Sequence, residues 1–133
     1  MLRVKTKLRQ SKIHGIGVFA DQFIPKGTVT WEYDPKYDVC FTKKEIHGLP
    51  EPGKGVLLFY CYYDKKLNRY ILCADHLRHI NHAKQKKLEN IVSTPRRDIA
   101  ARDIKKGEEL ICDYNKFDPE YFKRHGLKKK HLN

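Results

Sequence analysis

Apolar positions along this chain come in short runs broken by glycine and proline, and most of them alternate or cluster with β-branched and aromatic residues instead of recurring with a helical period. Residues 4–8 alternate with basic side chains, residues 17–20 follow a glycine-rich turn, and residues 28–33 lie behind the turn Pro25-Lys26-Gly27. All three read as strands, antiparallel where they pair. Thr42 with Glu45 three residues on has the spacing of a capping box, which predicts a short helix over 42–48 ended by Pro50. The run 56–63 is too uniformly apolar and aromatic for its period to assign it, and 69–74 predicts a buried strand. Residues 99–104, the turn Lys105-Lys106-Gly107 and residues 110–114 predict a hairpin. Asp118-Pro119 would supply the N-cap and first residue of a last helix closed by Gly126, before Lys128-Lys129-Lys130. No internal repeat stands out. The pattern is strand-rich, with small helices at the margins.

Composition narrows the class. At 133 residues the chain is long enough to bury a core and short for two ordinary domains, so one unit is expected. Lysine and arginine number 28 against 16 acids, a formal charge of +12 that draws a protein towards nucleic acid, acidic proteins or anionic membranes. A solvated lysine-rich surface is the plain alternative. No stretch has the form of a signal peptide, and no apolar run nears the ~18 residues of a membrane span. A soluble protein without a membrane partner is expected. Cys40, Cys61, Cys73 and Cys112 form no C-x-x-C pair, and three of them sit in apolar, strand-like runs where free cysteine packs as a small hydrophobe. That suits a reducing intracellular compartment.

Three stretches carry candidate chemistry. In D-H-L-R-H-I-N-H-A, residues 75–83, histidines recur at 76, 79 and 82. Along a 3₁₀ turn they would share an edge and could hold zinc. Along an α-helix, steps of three drift by about 60° each and the rings diverge. No acidic or cysteine partner completes a spacing such as H-E-x-x-H, so no metal is expected. Asn81-His82 also reads as a polar pair at a strand end, whose side chains need hydrogen-bond partners. The second stretch is His14-Gly15-Ile16-Gly17-Val18-Phe19-Ala20, where two glycines permit close backbone approach but by themselves mark only a turn. The third leads from Ala101-Arg102-Asp103-Ile104 into Cys112-Asp113-Tyr114, and a lone strand tyrosine is ordinarily structural.

Together and in this order, H-G-x-G-V-F-A, I-P-K-G-T, I-N-H and A-x-R-D-I-x-x-G-E-E-L-x-x-D-Y closely resemble the SET-domain protein lysine methyltransferases, over about residues 2–122. The resemblance implies a mainly β, β-clip-like fold of several small antiparallel sheets with short helices, in which the segments of Asn81 and Tyr114 cross in a C-terminal pseudoknot. It implies a SET domain over 1–116, followed by an aromatic helix and basic tail over 117–133. Four scattered cysteines cannot build the zinc clusters that flank larger members, which points to a small free-standing type as in bacteria and viruses, monomeric or a homodimer. The implied cofactor is S-adenosylmethionine. His14, Gly15 and the backbone of Ile16, Gly17 and Val18 would line its methionine end. Asn81 and His82 would hold its amino group and adenine, with Phe117, Tyr121 or Phe122 over the adenine ring. Tyr114 would be catalytic, and Phe59, Tyr62 and Cys112 would line the channel for the substrate lysine.

The implied reaction is an in-line displacement that needs no metal or covalent intermediate, and holding the reactants in place can supply several kcal/mol. A free lysine near pKa 10.4 is about three units too basic at neutral pH, about 4 kcal/mol against its reactive form. An aromatic, desolvated channel favours the neutral amine. The chain departs from the family where N-H-S-C-x-P-N becomes Asn81-His82-Ala83 and a longer basic loop to Asn90. Another departure is Cys112, small where family members often carry Phe or Tyr, which suggests room for two or three methyl groups. A histone or nucleic-acid-binding protein is the implied substrate, in the cytoplasm or on chromatin or a nucleoid. Glu108, Glu109, Asp113, Asp118 and Glu120 gather near Tyr114 in sequence, which leaves two compatible outcomes: an acidic channel mouth for a basic peptide, or basic flanks that dock on DNA or RNA beside a bound substrate. Two other readings stand beside this one. The first is a non-catalytic SET-like binding module, and the second a basic nucleic-acid-associated protein making contact through its charged surface.

Overall fold

The computed structural model describes residues 1–128; positions 129–133, with Lys129 and Lys130 of the expected basic tail, lie outside the described residues. In chain order the elements are β1 (Thr6–Gln10), β2 (Ile16–Ala20), β3 (Val29–Glu32), β4 (Val39–Phe41), α1 (Lys43–His47), α2 (Gly53–Tyr60), β5 (Tyr62–Asp64), β6 (Arg69–Leu72), β7 (Asn81–His82), β8 (Ile91–Ser93), β9 (Arg97–Ala100), β10 (Glu109–Cys112) and α3 (Tyr121–Arg124). The larger sheet runs β1-β2-β10-β8-β9-β3 with β7 added on β10, and the smaller one β4-β6-β5. The mainly β reading holds. None of the described helices is long and apolar enough to cross a membrane.

Local chemistry explains most elements. The first strand begins at Thr6 and not at residue 4, because Leu2 and Val4 pack on the core and Leu2 bridges to Trp31 on the far side of the sheet. The capping box forms as predicted: Glu45 N donates to Thr42 Oγ1 at 3.0 Å and Thr42 N to Glu45 Oε2 at 2.6 Å. The unassigned run 56–63 splits, with α2 ending at Tyr60 and β5 starting at Tyr62 to pair with Ile71. Ile46, Cys61 and Tyr70 form a small apolar cluster under the two helices, while Val18, Ile24, Trp31, Ile71, Ile104 and Leu110 anchor the main core. Cys61, Cys73 and Cys112 are buried and Cys40 is exposed.

The predicted hairpin over 99–114 does not form. The Lys105-Lys106-Gly107 turn exists, with Gly107 at φ +93°, but β9 pairs with β3 and β8 whereas β10 pairs with β2, β7 and β8. The reason is an echo within the chain. Ala20, Ile24 and Gly27 recur as Ala100, Ile104 and Gly107, eighty positions further on, and the two copies bond reciprocally. Ile24 N donates to Ile104 O at 2.9 Å and Ile104 N to Ile24 O at 2.8 Å; Gly27 N reaches Ala100 O and Gly107 N reaches Ala20 O, each at 2.8 Å. Each turn finds its partner in its counterpart and not in its own flanks.

The last helix is also shorter than expected. It starts at Tyr121, because Asp118 turns inward and receives Arg124 Nη2 at 2.5 Å and the amide of Tyr63 at 3.0 Å instead of capping a helix. Gly126, at φ +65°, closes it as predicted.

Candidate active site

Tyr114 sits where β10 gives way to a 3₁₀ turn whose N-cap is Asp113, the carboxylate accepting from Asn115 N at 3.0 Å. Parallel pairing of β7 with β10 sets Cys112 opposite His82 and brings the two motif segments together. The Tyr114 amide donates to His82 Nδ1 at 3.1 Å, and its hydroxyl donates to Ile80 O at 2.5 Å. The Phe122 ring stacks on Tyr114 at 6.0 Å and Tyr121 meets it edge-on at 4.9 Å. Burial pushes the Tyr114 hydroxyl well above its ordinary pKa, with the neighbouring Cys112 and Tyr121 adding to the effect. It is a hydrogen-bond donor, not a base.

Two spaces adjoin this tyrosine and share Tyr114, Ile80, Phe59, Tyr60, Arg78 and Tyr121 as walls. One is an open cleft of about 690 Å³, with His14, Gly15, Ile16, Asn81 and His82 on one side and Tyr121 and Phe122 on the other. Its first wall is a turn held by the Ser11 hydroxyl, which accepts from the amides of Ile13 at 2.9 Å and His14 at 3.4 Å, with Gly15 at φ +46°. Asn81 Nδ2 fixes that turn to β7 by donating to His14 O at 3.1 Å, Ile16 O at 3.2 Å and Glu109 Oε1 at 3.0 Å. Gly17 and Val18 lie off the cleft. Val18 is fully buried in the core, and a Cβ on Gly17 would fall 2.2 Å from Glu109 Oε1, so this glycine makes room for the carboxylate that Asn81 and Ser11 share.

The other space is a channel of about 60 Å³, walled by Trp31, Tyr62, Phe117, Leu77, Ser93 and Asp98 besides the shared residues. Phe117 therefore faces the channel and not the cleft, edge-on to Tyr62 at 5.6 Å. Cys112 reaches neither space; it is fully buried, and Ser93 is among the small residues that line the channel. None of the five acids expected at the channel mouth lines either space. Glu108 pairs with Arg102 at 3.1 Å, Glu109 serves Asn81 and Ser11, Asp113 caps its turn, Asp118 holds Arg124, and Glu120 lies 4.0 Å from Lys123.

The three histidines separate, although His76 and His79 do share a 3₁₀ turn. His76 Nδ1 meets Thr6 Oγ1 at 2.9 Å, His79 packs on Tyr60 at 5.3 Å in the cleft wall, and His82 faces Tyr114. The longer loop after Ala83 still delivers Asn90 to β10: Asn90 Nδ2 donates to Glu109 O at 2.8 Å, and Asn90 Oδ1 accepts from Ile111 N at 2.9 Å. Tyr60, Arg78, Ser93 and Asp98 are wall residues that the motifs do not mark.

The SET domain model matches residues 15–115, and the chain belongs to that family. It is 33% identical over 114 residues to the N-lysine methyltransferase KMT5A-A of Danio rerio, covering 75% of this chain and 32% of that protein. The chain thus spans about a third of the length of the relative it matches. Among solved structures, apo ctPRC2 of Chaetomium thermophilum with mutations in Ezh2 aligns at a TM-score of 0.66 and 25% identity, over 98% of this chain and 17% of that one. A candidate histone methyltransferase of Plasmodium falciparum aligns at 0.58 and 20% identity, over 85% and 95%, a likeness of fold.

Proposed function

We propose that this chain transfers a methyl group from S-adenosylmethionine to the ε-amino group of a protein lysine. The observation that carries the reading is the junction: Tyr114 and the Ile80 carbonyl wall both an open cleft and a narrow aromatic channel, so two reactants entering from different sides meet at one hydroxyl.

The cleft fits the cofactor. Its volume of about 690 Å³ suits a nucleoside joined to an amino acid. Tyr121 and Phe122 offer ring faces for a purine, and Tyr114 and Phe59 offer π faces for a cation at the junction. His14, Gly15, Ile16, Asn81 and His82 supply the polar wall across from the rings. When bound there, S-adenosylmethionine supplies an electrophilic methyl group on a sulfonium.

The chain's own residues do the rest. Tyr62, Phe117 and Trp31 strip water from the lysine side chain and so disfavour its ammonium form. The Tyr114 hydroxyl, anchored on Ile80 O, orients the nitrogen at the junction. A small residue at Ser93, where a ring would narrow the channel, leaves space for more than one methyl group. The SET domain covers 1–116, and the segment from residue 117 completes the cleft through Tyr121 and Phe122. A chromatin protein such as a histone is the substrate this reading favours, supported by the relatives' described activities and by a charge of +12 suited to docking beside nucleic acid.

Calorimetry with S-adenosylmethionine, followed by labelled-methyl transfer to core histones and to a cell lysate with mapping of modified lysines, tests the reading. Saturable cofactor binding and label on lysine are expected. Absence of binding would leave a SET-fold binding module.

A further inference from the structure

Five acids are buried among the described residues: Asp38, Asp64, Glu89, Asp98 and Asp118. Four have a cation. Asp38 lies 3.6 Å from the Met1 amine, Asp64 3.3 Å from Arg96, Glu89 2.6 Å from Lys116 and Asp118 2.5 Å from Arg124. Asp98, 4% exposed, has no ion-pair partner among the described residues, and it lines the channel. It stands on β9, opposite Ser93 on one side and Trp31 on the other. A buried carboxyl without a counter-charge is costly, and such groups mark places that a ligand completes. Asp98 and Tyr114 line this same small space of about 60 Å³, so the carboxyl and the hydroxyl border one place where a substrate cation could sit.

We propose that Asp98 is a catalytic residue that receives the substrate ammonium in the channel and takes its proton, an inference that rests on the methyltransferase reading. An N–H bond of the ammonium breaks, the proton bonds to a carboxylate oxygen, and the electron pair stays on nitrogen as the lone pair of the reactive amine. Two opposite charges vanish together, which a dry aromatic channel favours over a buried ion pair. The proton returns to water when the peptide leaves. Burial holds the Asp98 carboxyl at about 7, with the Ser93 hydroxyl and the Met1 amine pulling it down, far nearer to lysine than an ordinary carboxylate. The other titratable groups that line the channel or act on Asp98 include Tyr62, Tyr114, Tyr121, Cys61, Cys73 and Cys112, whose protonated forms burial favours, and Arg78 lines the same wall. Asp98 is the one among them that changes charge near neutrality.

The test uses the full chain as native protein, Asp98→Asn and Asp98→Leu. Both variants are expected to bind S-adenosylmethionine like the native protein. Methyl transfer to core histones at saturating substrate should fall about a hundredfold, and the limb of its pH profile near neutrality should disappear. Native turnover and an unchanged profile in Asp98→Asn would overturn the proposal. Where the variants fail to fold, carboxyl-carbon NMR of the aspartate-labelled native protein decides. A signal titrating near pH 7 and moved to higher pH by n-butylamine, a lysine side chain without its backbone, supports Asp98, because the carboxyl keeps the proton it takes from the bound ammonium; a signal moved to lower pH, as in an ion pair without transfer, or indifferent to saturating amine refutes it. Native protein that binds cofactor but modifies no lysine breaks the methyltransferase reading instead, and the amine titration still judges Asp98.

Discussion

The cleft and the channel meet at one tyrosine yet are made of different material. The polar wall of the cleft is largely main chain: a turn fixed by Ser11 and Gly15, carbonyls of His14 and Ile16, and a short strand placed by Asn81. The channel is built largely from side chains, with Trp31 from β3, Tyr62 from β5, Leu77 from a 3₁₀ turn, Ser93 from β8 and Asp98 from β9. A wall of backbone needs particular glycines and amides at close spacing. A wall of side chains can change its chemistry one residue at a time without disturbing the sheet that carries it. The unpaired carboxyl lies in the second kind of wall.

Four experiments press on this contrast. Tyr114→Phe removes the hydroxyl both spaces share, and methyl transfer should fall about a hundredfold while the circular dichroism and cofactor affinity stay native. Full activity would remove Tyr114 from the chemistry. Asp118→Ala acts mainly on the cleft: it strands the largely buried Arg124 against Tyr121, with an expected loss of about 3–5 kcal/mol in urea melts and weaker cofactor binding. A loss under about 1 kcal/mol would mean that the helix carries itself.

The third concerns the channel. The Asp98 pKa is raised from 3.8 to about 7 in the folded protein, so the native state binds the proton more tightly than the unfolded chain does. Its contribution is fully present below about pH 4 and is lost as pH rises through about 7, a span of about 4 kcal/mol. Urea melts at pH 5 and pH 8 should show this fall in native protein and a flatter curve in Asp98→Asn. The smallest effect belongs to Gly17→Ala, whose methyl would collide with Glu109 Oε1 and cost about 1–3 kcal/mol. Adding Glu109→Ala should recover part of that loss, and full additivity in the double-mutant cycle would deny the contact.

The same contrast explains what was legible in the sequence. Tyr114, Asn81, His82 and the His14–Ile16 turn lie in compact motifs because backbone geometry ties them to fixed neighbours. Asp98 was hidden by the hairpin expectation, which began its strand at residue 99 and so left Asp98 outside it; β9 in fact begins at Arg97 and buries Asp98. Tyr60 lay in a run whose period could not separate helix from strand, and α2 ends on it. Asp118 looked like a helix cap because Asp-Pro is a common start. Its partner Arg124 lies one helical turn beyond the reach of that local rule. Gly17 was assigned a ligand's approach when the close approach is that of Glu109.

The paired turns at Ile24 and Ile104 bear on how the protein is made. On a ribosome adding about 5–20 residues per second, the first turn waits about 4–16 s for its counterpart to be synthesised. Until then β2 has no β10 beside it, and Ile24 has no partner for its amide or carbonyl. Contacts so distant along the chain slow folding through the entropy of closing the loop between them. The nascent N-terminal half is therefore an unfinished sheet edge, the kind of surface that chaperones hold. Tyr114, just past the second turn, reaches its place against Ile80 only as the whole sheet closes.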